Sequence, residues 1–192
     1  MSDLLFPKQG IILDACCIIN LCASGYIQSI LEAIPGQVAV AAYVYEKEVL
    51  RIYAGPDEDV TREVQQVDLQ PFADSGLLEV VFTDDELERL VVNFSVAPID
   101  SGEAISAAIA VHRAWSFGTD DKLAIAFLKQ NFPQLHLLST PDLLKHWVDC
   151  VRPRPSEVSA MLRNVRRRAK YEPHTKHHLY MWWKTSLAES SE

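Results

Sequence analysis

The chain has 192 residues, 48% of them hydrophobic, with a formal net charge of -8 and a mean hydropathy of +0.00. This composition excludes a disordered chain, and no apolar run reaches the ~20 residues that span a bilayer, which argues against a membrane protein. The charge is unevenly spread: residues 151–192 hold 9 Lys and Arg against 4 Asp and Glu, leaving 9 bases and 22 acids in residues 1–150. We therefore expect a folded domain over residues 1–150 and a basic extension over residues 151–192. The first residues lack a basic segment followed by a long apolar core, so a cytoplasmic location is expected. Cys16, Cys17, Cys22 and Cys150 fit neither a CxxC zinc pattern nor a secreted disulfide framework, and are expected as small core residues.

Gly10, Ile11, Ile12 and Leu13 form a short apolar run that ends on Asp14, the signature of a buried strand delivering one carboxylate. Helices are expected over 15–22 and 26–33, the second closed by Pro35 and Gly36. Residues 37–41 read as a second strand and 43–53 as a helix that carries Glu46 and Glu48. Strand, helix, strand and helix with short connections indicate an α/β chain with a parallel sheet. An acidic turn at 56–59 and a further helical piece over 60–67 precede a strand over 77–83. The helix expected over 84–94 has an acidic first turn, Asp84, Asp85, Glu86 and Glu88, which suits its dipole and needs no catalytic role. A linker at 96–99 leads to Asp100 and Glu103, at capping-box spacing ahead of an Ala-rich helix over 104–114. A strand over 115–119 ends in Asp120 and Asp121, a helix follows over 122–131, and a last strand at 135–138 precedes a helix over 142–151. Beyond Pro155, a helix over 156–170 has Val158, Met161, Leu162 and Val165 on one face, and residues 185–192 read as a frayed tail.

Asp14 is costly to bury inside its apolar run without a cation or hydrogen-bond donors. Other acids fall at element ends: Glu103 in a first helical turn, and Asp120 and Asp121 at a strand-to-helix turn. Such a group can hold a divalent cation, because hard cations take oxygen ligands and can activate water against a phosphodiester. Thr119 and Asn20 are supporting candidates. Glu46 and Glu48 point to different faces of a helix, so one of them is expected to enter the pocket. Asp100 reads as an N-cap, and a capping role for Asp120 stays open.

The series Ile11 to Ala15, Tyr43 to Val49, Asp100 to Ala104 and Gly118 to Lys122 resembles a PIN-domain protein over about residues 9–150. The resemblance implies a Rossmann-like parallel sheet flanked by helices and a Mg²⁺- or Mn²⁺-dependent ribonuclease acting on RNA. It also implies a homodimer, and a toxin role in a type II toxin–antitoxin pair with an antitoxin protein as partner. Asp14 matches the family's first acid, Glu48 the second with Glu46 as the alternative, Glu103 the third and Asp120 the fourth, with Asp121 as an accessory metal ligand. The basic extension lies outside the resemblance.

In that extension, Arg163, Arg166, Arg167, Arg168 and Lys170 are candidate RNA contacts, with Trp182 and Trp183 as stacking surfaces. Alternatively, the aromatics pack the extension onto the body and the bases pair with acids. His174, His177 and His178 are not expected to hold a metal, since no nearby cysteine or carboxylate completes a set. Two rivals to the ribonuclease remain: a catalytically silent RNA- or protein-binding module, and a phosphoryl-transfer domain. The second fits poorly, because Cys16 stands where a haloacid-type site needs an Asp and Lys122 is out of order for a receiver.

Overall fold

The computed structural model describes residues 9–48, 50–54, 63–94 and 99–188. In chain order the elements are β1 (Gly10–Leu13), α1 (Ala15–Ser24), α2 (Ile27–Ala33), β2 (Gln37–Ala41), α3 (Ala42–Lys47), β3 (Arg51–Tyr53), β4 (Val64–Gln66), α4 (Gln70–Asp74) and β5 (Glu79–Val81). They continue with α5 (Asp85–Phe94), α6 (Ser101–Arg113), β6 (Ser116–Gly118), α7 (Lys122–Asn131), β7 (Leu137–Leu138), α8 (Thr140–Val151), α9 (Pro155–Asn164), a π-helical turn (Val165–Ala169) and α10 (Tyr180–Ala188). The fold is α/β, built on a five-stranded parallel sheet flanked by helices.

Sheet order is β5-β2-β1-β6-β7. All four β1 residues are buried, as expected of a central parallel strand covered on both faces. β1 pairs with β2 from Gly10↔Gln37 to Leu13↔Val40, and with β6 from Ile11↔Ser116 to Leu13↔Gly118. Gly118 permits that pairing, because a Cβ there would come within 2.6 Å of the Leu13 side chain. Connections from β1 run one way to β2 and β5, and the later strands lie on the other side, so the order reverses between β1 and β6. The carboxyl ends of two such strands form the crevice where open α/β sheets bind ligands.

The helix expected over 43–53 stops at Lys47, since Glu48 adopts an extended backbone (φ -86°, ψ 136°). Residues 51–53 instead pair antiparallel with 64–66 as a small second sheet, and Ile52 turns into the core between an exposed Arg51 and a half-buried Tyr53. Alternation with period two is a strand property, and residues 51–53 show it at the end of the helix expected over 43–53; residues 64–66, expected within a helical piece over 60–67, are an exposed strand instead. The acidic turn at 56–59, residues 60–62 of that piece, linker residues 96–98 and tail residues 189–192 lie outside the described residues. The third strand is shorter than expected, and α4 has too few residues to show a helical period in sequence. Among the described residues no single helix is long and apolar enough to cross a membrane.

Beyond residue 154 the chain packs onto the sheet domain. Val158, Met161, Leu162 and Val165 are buried and join the same hydrophobic core as Ile18, Leu21 and Trp147. Asn164 donates to the Ser24 carbonyl, and Arg168 donates to the carbonyls of Ala23 and Tyr53. Residues 185–188, expected to fray, complete α10, and Ser186 is buried there. Trp183 is fully buried.

Because the extension shares the core, Leu162→Ala or Trp183→Ala should each destabilise the whole chain by ~2–5 kcal/mol. Urea unfolding followed by near- and far-ultraviolet circular dichroism should show one transition in both variants. A separate early transition for the extension would contradict the shared core.

Candidate metal centre

Asp14 follows β1 directly and is 2% exposed. Its carboxylate caps α1 by accepting the Cys17 backbone N–H (2.8 Å), and the Cys16 thiol donates to it at 3.0 and 3.1 Å. No Lys or Arg pairs with it among the described residues. Burial pushes its pKa up to about 7. Hydrogen bonds from Thr119, Cys17 and Cys16 oppose that rise, and the Asp120 charge adds to it.

Glu103 reaches the same region from the first turn of α6. Asp100 caps that helix by accepting the Glu103 N–H (2.8 Å), and Glu103 accepts the Asp100 N–H (3.1 Å), completing the expected capping box. Burial raises Glu103 to about 7; the Asp100 N–H opposes the rise, and the charges of Asp100, Asp121 and Asp14 support it. Those influences place Glu103 electrostatically among the other acids. Glu48 comes to the start of α6 as well. A Cβ at Gly102 would overlap Glu48 Oε1, so the missing side chain at Gly102 makes room for this carboxylate at the start of α6. Burial, then the Asp100 charge, raises Glu48 above the ordinary carboxylate range. Glu46 remains exposed on α3. The end of α3 at Lys47 separates the two glutamates: extended backbone at Glu48 turns it toward α6.

The β6–α7 turn gives its two adjacent acids different surroundings. Asp120 accepts hydrogen bonds from Asn20 Nδ2 (3.0 Å), the Thr140 N–H (3.0 Å), the Thr140 hydroxyl, the Tyr171 hydroxyl (2.7 Å) and the Cys17 thiol (3.6 Å). Five donors leave its two oxygens little capacity for a further ligand. Asp121 caps α7 through Oδ1 alone, from the N–H groups of Leu123 (2.7 Å) and Ala124 (2.8 Å), and its Oδ2 has no hydrogen-bond partner among the described residues. Thr119 is buried and accepts the Asp121 N–H (3.1 Å). One sulfur joins the two strand ends: Cys16 donates to Asp14 and accepts the Asp120 N–H at 3.2 Å.

The residues that sequence reasoning missed are those with ordinary structural duties. Cys16 looked like core filling, Thr140 like part of a helix-start signal, and Tyr171 is remote in the chain from every acid. Cys150, expected in the core, is exposed. Asp84 accepts the N–H groups of Glu86 and Leu87 at the start of α5, the helix-end role expected of it. Among the basic residues, Arg163, Arg166, Arg167 and Lys170 line one surface concavity, whereas Arg168 is turned inward to two carbonyls. Trp183 is a core residue and Trp182 is half-buried.

A carboxylate does meet the histidines: ligand atoms of Asp142, His177 and His178 lie within 4.8 Å of one another. Hydrogen bonds already use that group. His177 Nδ1 accepts the Leu179 N–H (3.1 Å), which leaves the proton of the neutral ring on Nε2, 2.9 Å from the Ser139 hydroxyl. Ser139 donates in turn to Asp142 at 2.5 Å, and His178 Nε2 stands 2.9 Å from the other Asp142 oxygen. The tautomer denies His177 Nε2 a lone pair for metal, so the cluster serves as a polar latch between α8 and the extension.

Charge links Asp14, Glu103 and Asp121 at this edge, and carboxylate oxygens are the ligands that a hard divalent cation takes. Cys16 and Cys17 lie within 4.8 Å of the Asp14 carboxylate, so a soft metal on thiolates is the competing fit. The Cys17 contact lowers the Cys16 thiol, but burial and the Asp14 and Asp120 charges push it up to about 11. Burial, with Cys16 and both Asp charges, holds the Cys17 thiol well above its ordinary range. Near neutral pH the available donors are carboxylate oxygens, as Mg²⁺ and Mn²⁺ require. No known family profile matches this chain, and no curated protein matches it in sequence.

The raised acids set the pH dependence of stability. Asp14 and Glu103 stand at about 7 in the folded chain against ordinary values of 3.8 and 4.5, so the folded state keeps protons that the unfolded state has released. Without divalent metal, their contribution to stability therefore falls as pH rises between roughly 4 and 7. Melting temperatures in EDTA across this window should fall less for Asp14→Asn than for the wild type. That difference isolates Asp14 from His177, whose ring burial holds its pKa down and acts in the opposite sense. Parallel curves for the two proteins would refute a raised Asp14.

Proposed function

We propose that this chain is a PIN-type, Mg²⁺- or Mn²⁺-dependent endoribonuclease that hydrolyses RNA phosphodiester bonds. The observation that carries the reading is the buried Asp14 carboxylate at the sheet's switch point, electrostatically coupled to Glu103 and without a basic partner among the described residues. A buried carboxylate with no basic partner among the described residues is suited to a cation. Asp14, Glu103 and the open oxygen of Asp121 would hold the metal, with Glu48 on the α6 side. The bound ion would supply Lewis-acid activation of water and neutralise charge on the phosphate.

The chain's own groups have separable tasks. Cys17 N–H and the Cys16 thiol hold the Asp14 carboxylate in one orientation. Asp120 acts as a hub: Asn20, Thr140 and Tyr171 fix it, and its N–H on Cys16 fixes the turn that presents Asp121. Glu103, raised to about 7, is suited to accept a proton near neutral pH when it is not bound to metal, and burial shifts Glu48 in the same direction. A silent binding module is the second reading, favoured by the Tyr171 hydroxyl that the extension places on Asp120.

Asp14→Asn and Asp121→Asn should each reduce Mn²⁺-stimulated cleavage of single-stranded RNA by about 100-fold or more, with folded circular dichroism retained. Asp120→Asn, removing support rather than a ligand, should cost about 10–100-fold, the scale of outer partners of metal ligands. Cleavage that persists in EDTA or in pure Asp14→Asn would eliminate the ribonuclease reading. RNA binding by a wild type that never cleaves would select the silent module.

A further inference from the structure

A cleft of about 500 Å³ opens beside the acids, lined by α7, the end of β7 and the extension between Tyr171 and His178. Thr119 and Asp120 belong to its lining, so it begins at the turn that presents Asp121. Its size lies within the usual ~300–1,000 Å³ of ligand sites. Lys122 and Lys129 contribute from α7, and His174 and Lys176 from the extension.

The acids lining the cleft are engaged. Asp120 carries its five hydrogen bonds, Asp142 is held by Ser139 and His178, and Glu172 faces Arg166 (3.4 Å) and Lys184 (3.9 Å). Lys122, Lys129 and Lys176 have no ion-pair partner among the described residues. His174 uses Nδ1 to accept the Lys176 N–H, which leaves its other ring nitrogen available. The three lysines are therefore cations of the cleft without an ion-pair partner among the described residues, while Asp120 and Asp142 turn their oxygens to hydrogen-bond donors within the fold. Ile125, Leu137 and Leu138 place apolar surface beside those lysines. Cations interspersed with apolar surface suit a strand of alternating phosphates and flat, weakly polar units better than a uniformly acidic peptide. The arginine-rich concavity at the π-helical turn is a weaker candidate, since Arg166 pairs with Glu172 and Lys170 sits 5.1 Å over the Tyr53 ring.

We propose that this cleft binds the backbone of a single RNA strand next to the acid group, with Lys122, Lys129 and Lys176 as phosphate contacts and the 171–178 segment as one wall. The choice of RNA rests on the ribonuclease reading, and the two are tested separately. Binding of a short fluorescein-labelled single-stranded oligoribonucleotide is measured by anisotropy in EDTA, where no cleavage runs, across a salt series. The triple variant K122A/K129A/K176A should bind at least about 30-fold more weakly and reduce the slope of log affinity against log salt by about 2, as three lost single-strand phosphate contacts require. Replacing the same lysines by arginine should restore most of the affinity. All three lysines are exposed, so a folding defect is not expected.

In Mn²⁺, the alanine variant should show a raised KM for RNA cleavage with kcat within about three-fold of wild type. A variant that keeps wild-type affinity and KM overturns the cleft, even if the protein proves to be a nuclease. Loss of affinity confined to R163A/R166A/R167A overturns it too, as does displacement of the RNA by poly-glutamate at equal charge concentration. If the lysine variant loses RNA affinity while the wild type never cleaves, the cleft stands and the ribonuclease reading falls.

Discussion

A carboxylate at the end of the central strand, shut off from water and without a basic partner among the described residues, is the constraint around which this protein is arranged. Asp14 holds its place because β1 is buried along its whole length and because Cys17 N–H and the Cys16 thiol supply donors. Those donors oppose the effect of burial without cancelling it, so the acid titrates near neutrality. Each further acid brought to the same edge adds repulsion. That accumulation is tolerable only where protons or a cation relieve it, and it links pH and stability at one position.

The adjacent pair Asp120 and Asp121 shows how one turn divides two duties. Asp120 faces inward, where Asn20, Thr140, Cys17 and Tyr171 converge on it and tie α1, α8 and the extension to the end of β6. Asp121 faces α7, spends one oxygen on the helix cap and keeps the other without a partner among the described residues. A hydrogen-bond hub next to a carboxylate explains how a surface turn can be held rigidly enough to present it.

The extension is part of this arrangement. After α9, the π-helical turn ends at Lys170 in a left-handed conformation (φ 58°), and the reversal carries Tyr171 to Asp120. The latch of Ser139, Asp142, His177 and His178 fastens the following segment to the start of α8. The polar side of the extension thus closes one flank of the acid group, while its apolar side completes the core. Its bases have correspondingly different surroundings: Arg168 binds carbonyls, Arg166 pairs with Glu172, and Lys176 beside the cleft has no ion-pair partner among the described residues.

Local chemistry made much of this legible. The apolar run before Asp14, the capping-box spacing of Asp100 and Glu103, and the turn at Asp120 and Asp121 are set by neighbours within a few residues, so the sequence by itself determined the parallel α/β class and the elements carrying most of the acids. It could not separate Glu48 from Glu46, because that choice depends on where α3 stops and on the space beside Gly102. It could not divide Asp120 from Asp121, since the division is made by Thr140 and Tyr171, residues 20 and 51 positions beyond Asp120. The residues at 64–66 form a strand only because 51–53 lie beside them. Tertiary structure decided these points because burial and hydrogen-bond partners, unlike periodicity and capping, are properties of the assembled surfaces.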